Sequence, residues 1–466
     1  MKTNTGLQNP TGRRSRGCKV SSRHVVILIF IVSALLSACA STDIVTEPDI
    51  TSQIDEPVEE APPPKEVQLD FSTLELVISE IQQVENNPGP FNSYNPQFTS
   101  DEQLLAFEVN LGNYKKIHIY RMDVEEQDGS YEVNYLKERE VFLEESFSDE
   151  LTDDLFETGA GESFNYEFSW FPRSSTFIFT SNAGRGAYNL FVGSVDEKDS
   201  ILRQIRGRLD PEPVGEYYMI TEEMKKDGQA KVSPDGSRVV FTSGRTGNGD
   251  LYLYNLDTGD LTRLTFSEDT DFFPRWSPDG TDIVYTTGGK QSHDIHIIKN
   301  VGTRDEEHVV LVKWFFDDVL PSYSPDGRYI SFYTTYNRER DPFNTKRWGI
   351  MIVPADGSAP VAGKELIPFF HIGDVVKDNV QGTAWFPDSR NLLYAKNIDS
   401  DYNPIYIYDI EQRSEKLVES GTDINHDLTV SPHGLISFRA QRFGWDRVFI
   451  ASTSYFQEYL REFYAE

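Results

Sequence analysis

The groups in this chain that could do chemistry are eight histidines, two cysteines and 75 carboxylates. His293 and His296 stand three residues apart at the start of a strand. Side chains three apart on a strand point to opposite faces, so this pair chelates a metal poorly. The other histidines past the leader, His118, His308, His371, His426 and His433, are scattered. They could meet only where a fold gathers separate segments. Asp250, Asp294 and Asp446 precede strands, Asp257 and Asp356 follow them, and Arg185, Arg245 and Arg442 recur after strands. In a repeat such positions cap turns and tie backbone. No Asp-x-Asp-x-Asp calcium loop occurs. No Gly-x-Ser-x-Gly nucleophile elbow occurs either. Gly184-Arg185-Gly186 and Gly244-Arg245-Thr246-Gly247 lack the following helix that a phosphate loop requires. The sequence nominates no catalytic residue, no metal ligand and no cofactor.

Of the cysteines, Cys18 lies in a basic leader and Cys39 directly follows an apolar run. Residues 13 to 23 are basic, and Val25 to Val32, with Ala34, Leu35 and Leu36, form a hydrophobic segment of signal-peptide length. It is shorter than the roughly 20 residues a spanning helix needs. Leu36-Ser37-Ala38-Cys39 then resembles the bacterial lipobox. That resemblance implies diacylglyceryl transfer to the Cys39 thiol, cleavage before it, and a membrane anchor of two or three acyl chains. Ala40 in place of an aspartate implies sorting to the outer membrane. Loss of residues 1–38 leaves one cysteine and therefore no internal disulfide, so burial and closure of the fold must supply stability.

Formal net charge is −31. A chain this acidic is repelled by nucleic acid and by anionic lipid surfaces, which excludes nucleic-acid binding as its function. Residues 39–66 are acidic and end in Ala61-Pro62-Pro63-Pro64, the composition of a disordered tether.

The folded part is a repeat. Ser233-Pro234-Asp235-Gly236, Ser277-Pro278-Asp279-Gly280 and Ser324-Pro325-Asp326-Gly327 each follow an apolar residue. Proline presets the second position of a β-turn, and aspartate and glycine favour the positions after it. Each turn leads to residues alternating on one strand face: Val239 and Phe241, Ile283 and Tyr285, Ile330 and Phe332. A third strand and in places a fourth follow. Degenerate copies centre on Thr99, Phe171, Phe386 and Ser431, making seven. Ser277 follows Ser233 by 44 residues, Ser324 follows Ser277 by 47, and Ser431 follows Phe386 by 45. One four-stranded propeller blade takes about that length. Wider gaps predict loop insertions at Asp123–Phe164, Glu197–Gly228 and Pro354–Val380.

This pattern resembles the TolB-like, WD-repeat-like propellers built on a Ser-Pro-Asp-Gly turn, over residues 91 to 452. The resemblance implies an all-β propeller of four-stranded blades, seven in number, or six if the copy at Phe98 belongs to a separate subdomain. It leaves little room for the α/β N-terminal domain that the namesake of this family carries. The oligogalacturonate lyases resemble the chain as well, with seven blades, the same turns and a histidine-rich manganese site, but no histidine pairing here matches theirs.

The domain reading is a signal peptide over 1–38, a tether over 39–66, a closing strand and helix over 67–90, the propeller over 91–452 and a C-terminal amphipathic helix over 453–466. Val67, Leu69 and Phe71 alternate as the closing strand should. Ser72-Thr73-Leu74-Glu75 looks like a capping box opening a helix lined by Leu74, Val77, Ile78, Ile81 and Val84. The functional expectation is a non-catalytic lipoprotein, anchored at Cys39 to the outer membrane and facing the periplasm, that docks an envelope protein or a cell-wall component. The alternative is a metal-dependent polysaccharide lyase with its site in the channel.

Overall fold

The computed structural model describes residues 67–465 apart from 68, 85–90, 113, 128, 142–163, 184–186, 290–291, 337–346, 359–369 and 378–380. The chain divides into two units, Met1–Pro64 and Lys65–Glu466, and all described residues lie in the second. The signal peptide, Cys39 and the tether fall outside the described residues.

Seven antiparallel sheets form the blades of a ring. Blade one has the strands Asn92–Phe98, Leu104–Asn110, Lys115–Gln127 and Ser130–Val141. Blade two begins with Asn165–Trp170, Thr176–Ser181 and Asn189–Ser194, blade three has Asp227–Val232, Arg238–Ser243, Asp250–Asn255 and Leu261–Arg263, and blade four Thr270–Trp276, Ile283–Gly288, His293–Lys299 and Glu307–Val312. Blades five (318–375) and six (384–418) repeat this order. The copy at Phe98 is thus a full blade, and the six-bladed alternative is excluded. The first strands of successive blades touch one another, so they are innermost and surround the channel.

Blade seven shows how the ring closes. Its strands Asn425–Val430, Ile436–Arg442 and Trp445–Thr453 come from the end of the chain, and its outermost strand, Ile78–Gln83, comes from the beginning. Ile81 pairs with Ala451 and Gln83 with Phe449. Pairing the two ends of the chain within one sheet completes the last blade and closes the ring. The closing strand was expected at 67–71 and a helix at 72–84. Instead residues 71–73 form a single 3-10 turn and the strand lies at 78–83. A β-bulge between Ile78 and Ile81 accounts for the difference. It places two residues three apart on one face, the spacing a helix would give. Both pack into the seam between blades six and seven.

The buried apolar side chains form seven clusters among the described residues, one in each seam between neighbouring blades. The pairs that alternation places on one face each enter one seam with the preceding blade. Val239 and Phe241 meet blade two, Ile283 and Tyr285 blade three, and Ile330 and Phe332 blade four.

The predicted insertions contain more order than loops. Within Glu197–Gly228 lie the helix α1, Ser200–Leu209, and a hairpin, Glu212–Val214 and Tyr217–Met219, that supplies the outer strands of blade two. Asp199 caps α1, accepting from Ile201 N at 2.9 Å, and Leu202 and Ile205 bury into the seam between blades two and three. Part of Asp123–Phe164 is the long outer hairpin of blade one.

The C-terminal helix is present as α2, Ser454–Tyr464, with Thr453 as its N-cap. Tyr455, Phe456, Tyr459 and Leu460 are buried against blades six, seven and one. Gln457 both accepts from Tyr131 N at 3.0 Å and donates to Tyr131 O at 2.8 Å, as a neighbouring strand would. The apolar face of α2 is therefore spent inside the chain, as cover for the closing seam.

Candidate functional site

Strand direction alternates along each blade, so the ring has two chemically distinct ends. One carries the Ser-Pro-Asp-Gly turns. The other carries the loops joining second to third strands and those joining one blade to the next.

At the turn end every sequence-predicted residue has a structural task. Ser233 Oγ donates to Asp235 Oδ1 at 2.5 Å and accepts from Arg238 N at 3.0 Å, while Gly236 N donates to Ser233 O at 2.9 Å. Ser277 with Asp279, and Ser324 with Asp326, repeat the first bond at 2.6 Å. These bonds hold the three aspartates below the usual carboxylate range, although burial of Asp235 and Asp326 pulls the other way. Gly236, Gly280 and Gly327 adopt φ of 75°, 72° and 73°, a conformation that disfavours a side chain. The turns also stack around the ring. A Cβ on Gly280 would lie 3.3 Å from Pro234 Cδ, and one on Gly327 3.8 Å from Pro278 Cδ. In blade seven His433 replaces the aspartate. It donates its backbone N–H to buried Glu102 of blade one at 3.0 Å, sets Nδ1 2.7 Å from the same carboxylate, and stacks on Tyr459 of α2 at 3.8 Å.

The channel wall carries a second repeat that the turns do not announce. Four residues before each turn anchor the backbone turns left-handed: Asn95, Glu167, Gln229, Phe273, Leu320 and Asp427 have φ between 49° and 57°, and Gly382 has 81°. Six of these residues sit in β-bulges of the innermost strands. The bulge frees a backbone N–H that the preceding blade accepts. Glu167 N donates to Glu108 Oε1 at 3.0 Å, Gln229 N to Glu167 Oε2 at 2.8 Å, and Phe273 N to Gln229 Oε1 at 2.9 Å. Phe273 offers no acceptor in turn, and Leu320 N donates to Thr286 Oγ1 at 3.2 Å instead. Burial pushes the Glu108 carboxyl up, opposed by Lys115 at 3.6 Å and the Asn95 amide at 2.9 Å.

The loop end carries exposed apolar side chains. Met224, Phe266, Phe315 and Phe443 are 89%, 71%, 95% and 90% exposed, and all four lie in loops of this end. Ile398, Tyr402 and Trp445 add smaller areas there. Singly exposed apolar residues are ordinary on a protein surface; the most exposed of them here share one end of the ring.

A cleft of about 930 Å³ opens from the loop end between blades three and four, with Phe266, Asp271, His296 and Lys313 in its lining. The outermost strand of blade three is only three residues long, which leaves this face of blade four uncovered. His296 Nε2 is buried there with no hydrogen-bond partner among the described residues. Burial, reinforced by Lys313 and His308, lowers the His296 pKa to about 4. The imidazole is thus neutral in the folded chain and titrates in the unfolded chain near 6.5. Its contribution to stability is complete above pH 6.5 and is lost as the pH falls toward 4. His296→Gln is expected to flatten the loss of stability between pH 6.5 and 4 by up to about 3 kcal/mol, read by urea unfolding at each pH.

The remaining histidines do not converge. His293, on the opposite strand face from His296, sets Nδ1 2.8 Å from Asp317 Oδ1. His371 Nε2 lies 2.9 Å from Tyr336 O, His308 faces Glu306 at 3.4 Å, and His118 faces Glu140 at 3.4 Å. Burial lowers the pKa of His426. Among the described residues no three His, Cys, Asp or Glu side chains are grouped to hold a metal ion. The recurrent charges tie loops together: Arg245 pairs with buried Asp227 at 3.0 Å, Arg263 with Asp250 at 3.0 Å, and Arg439 with Asp446 at 3.0 Å. Arg185 lies outside the described residues.

Comparison with known proteins agrees with this architecture. Residues 213–357 match the family model of the TolB β-propeller domain. They run from the outer hairpin of blade two into blade five. A protein of Sulfurisphaera tokodaii named as a Tricorn-like protease C-terminal subunit is 29% identical over 132 residues, 28% of this chain and 15% of that protein's length. Among solved structures, an oligogalacturonate lyase in complex with manganese superposes with a TM-score of 0.50 at 11% identity, over 81% of this chain and 96% of the other. TolB from Acinetobacter baumannii gives a TM-score of 0.42 at 15% identity, over 69% and 65%. By its seven blades, its turns and the match across blades two to five, the chain is a TolB-like β-propeller.

Proposed function

We propose that this chain is a non-catalytic lipoprotein of the bacterial envelope, held at the outer membrane through Cys39 and facing the periplasm, whose loop end docks a protein partner. The observation that carries the reading is the gathering of Met224, Phe266, Phe315 and Phe443 at that end, each more than two-thirds exposed. Aromatic and methionine side chains supply most of the binding energy of a protein interface when a partner buries them. Among the described residues no large apolar side chain of the turn loops is exposed to that degree. The leader and the Leu36-Ser37-Ala38-Cys39 motif support the anchor, and the acidic, proline-bearing residues 39–66 support a tether that holds the ring off the bilayer.

The test is a proximity capture in the source cells, with the full chain compared with a Met224→Ser/Phe266→Ser/Phe315→Ser/Phe443→Ser variant. The expected result is an envelope protein enriched by the wild type and reduced at least tenfold by the variant, whose thermal midpoint stays within a few degrees of the parent. Equal capture by both chains would sink the docking face. Cys39→Ser is expected to abolish palmitate incorporation and to release the chain from the membrane fraction. Retention of both would remove the anchor from the reading.

A further inference from the structure

Blades three and four carry the same aspartate, but only blade three carries its arginine. In blade three Ser243 pairs with Asp250, and on the same sheet face Phe241 pairs with Tyr252 and Tyr252 with Arg263. Arg263 Nη2 reaches both oxygens of Asp250, at 3.1 and 3.0 Å. Blade four repeats the frame: Thr287 pairs with Asp294, Tyr285 with His296, and His296 with Val310. Val310 therefore stands where blade three has its arginine. Asp294, 9% exposed, is left with Trp314 N at 3.4 Å. Lys313 and His293 are within electrostatic range of Asp294, and neither bonds it. The cleft of about 930 Å³ opens at this place, with Asp294, His296 and Val310 in its lining.

The rest of the lining suits the group that is missing. It holds four carboxylates, Glu268, Asp269, Asp271 and Asp294, against one ammonium, Lys313. That balance favours a cation over an anion. Asp269 lies against Gly289, where a Cβ would collide with its Oδ1. Tyr285 is 4% exposed, lines the cleft and makes no hydrogen bond among the described residues, and His296 Nε2 is buried beside it without a partner. Buried polar groups left unpaired are costly, and a ligand that meets them removes the cost. Phe266 and Val310 give the cleft an exposed apolar rim. A planar guanidinium meets a carboxylate through two N–H groups and stacks on aromatic rings. We propose that the cleft between blades three and four binds a guanidinium group carried on an apolar body, with Asp294 as its carboxylate partner. The site does not rest on the docking reading, because a free guanidinium compound needs no partner protein to occupy it.

The experiment titrates the full chain in detergent with phenylguanidine at constant ionic strength, followed by calorimetry. Phenylurea is the neutral control of the same shape, and benzoate the anionic one. Saturable binding of phenylguanidine alone is expected. Asp294→Asn should weaken it at least tenfold. Val310→Arg, on an exposed outer strand where folding is not at risk, should supply the missing group from the chain itself and also weaken binding at least tenfold. Absence of saturable binding, equal binding of phenylurea, or undiminished binding in either variant would overturn the proposal. The source of the guanidinium is read by proximity capture with Val310→Arg, whose docking residues are intact. Loss of the captured envelope protein assigns the group to an arginine of that protein, and unchanged capture assigns it to a free small molecule.

Discussion

Replacing Phe456 with alanine is expected to destabilise the propeller by about 3–5 kcal/mol, the usual cost of emptying a fully buried phenylalanine site. Phe456 has no solvent exposure, and it lies in the seam between blades seven and one. That seam differs from the other six because it must hold together the two ends of the chain. The outermost strand of blade seven, Ile78–Gln83, is paired along one edge only. The helix α2 adds cover from outside, through Phe456 and Leu460 and through the paired bonds of Gln457 with Tyr131. A cavity at Phe456 therefore loosens helix and closure together. Urea unfolding of Phe456→Ala, compared with the half-buried Phe463→Ala, checks this. A loss below about 1 kcal/mol, small for a core truncation, would mean that the ring closes without α2.

Arg439→Met is expected to cost about 3–5 kcal/mol, because it leaves a buried charge without its partner. Arg439 and Asp427 are nearly inaccessible, and Arg439 Nε donates to Asp427 Oδ2 at 2.7 Å. The same guanidinium reaches Asp446 Oδ2 at 3.0 Å and lies over the Tyr94 ring, 5.0 Å from its centroid. Blade one and two strands of blade seven thus meet on one side chain. Burial lowers the guanidinium pKa, but Asp427 and Asp446 outweigh it and the net shift is upward. Lysine would keep the charge and lose the fork, so Arg439→Lys should recover less than half of the loss. Adding Asp427→Asn to Arg439→Met should restore a large part of it. Additive single-site losses in that cycle would show that the two residues do not act as a pair.

The blades were legible because each one repeats two local rules, a Ser-Pro-Asp-Gly turn and a two-residue alternation after it. Val239 and Phe241 enter one seam because strand periodicity leaves them no alternative. The N-terminal strand was misread because a bulge makes Ile78 and Ile81 share a face at a helical interval, and a single sequence does not reveal a bulge. The ring around the channel was missed for a related reason. Asn95, Glu167, Gln229, Phe273, Leu320, Gly382 and Asp427 have no residue type in common, and what they share is a backbone conformation. The loop end was hidden because Met224, Phe266, Phe315 and Phe443 come from separate loops and share one end of the ring only through strand direction. The turns were found and are structural.

The left-handed residue at the start of each innermost strand also bears on how such rings grow. Blades two to five each offer an N–H to the blade before them, and the blades before them supply the side-chain oxygen that accepts it. A unit with a donor on one flank and an acceptor on the other joins to a copy of itself without new chemistry. Where the acceptor has been lost, at Phe273, Thr286 on the adjacent strand replaces it. Tandem duplication of a gene segment can therefore add a blade whose joints are already made, and drift in any one joint is repaired within the same blade.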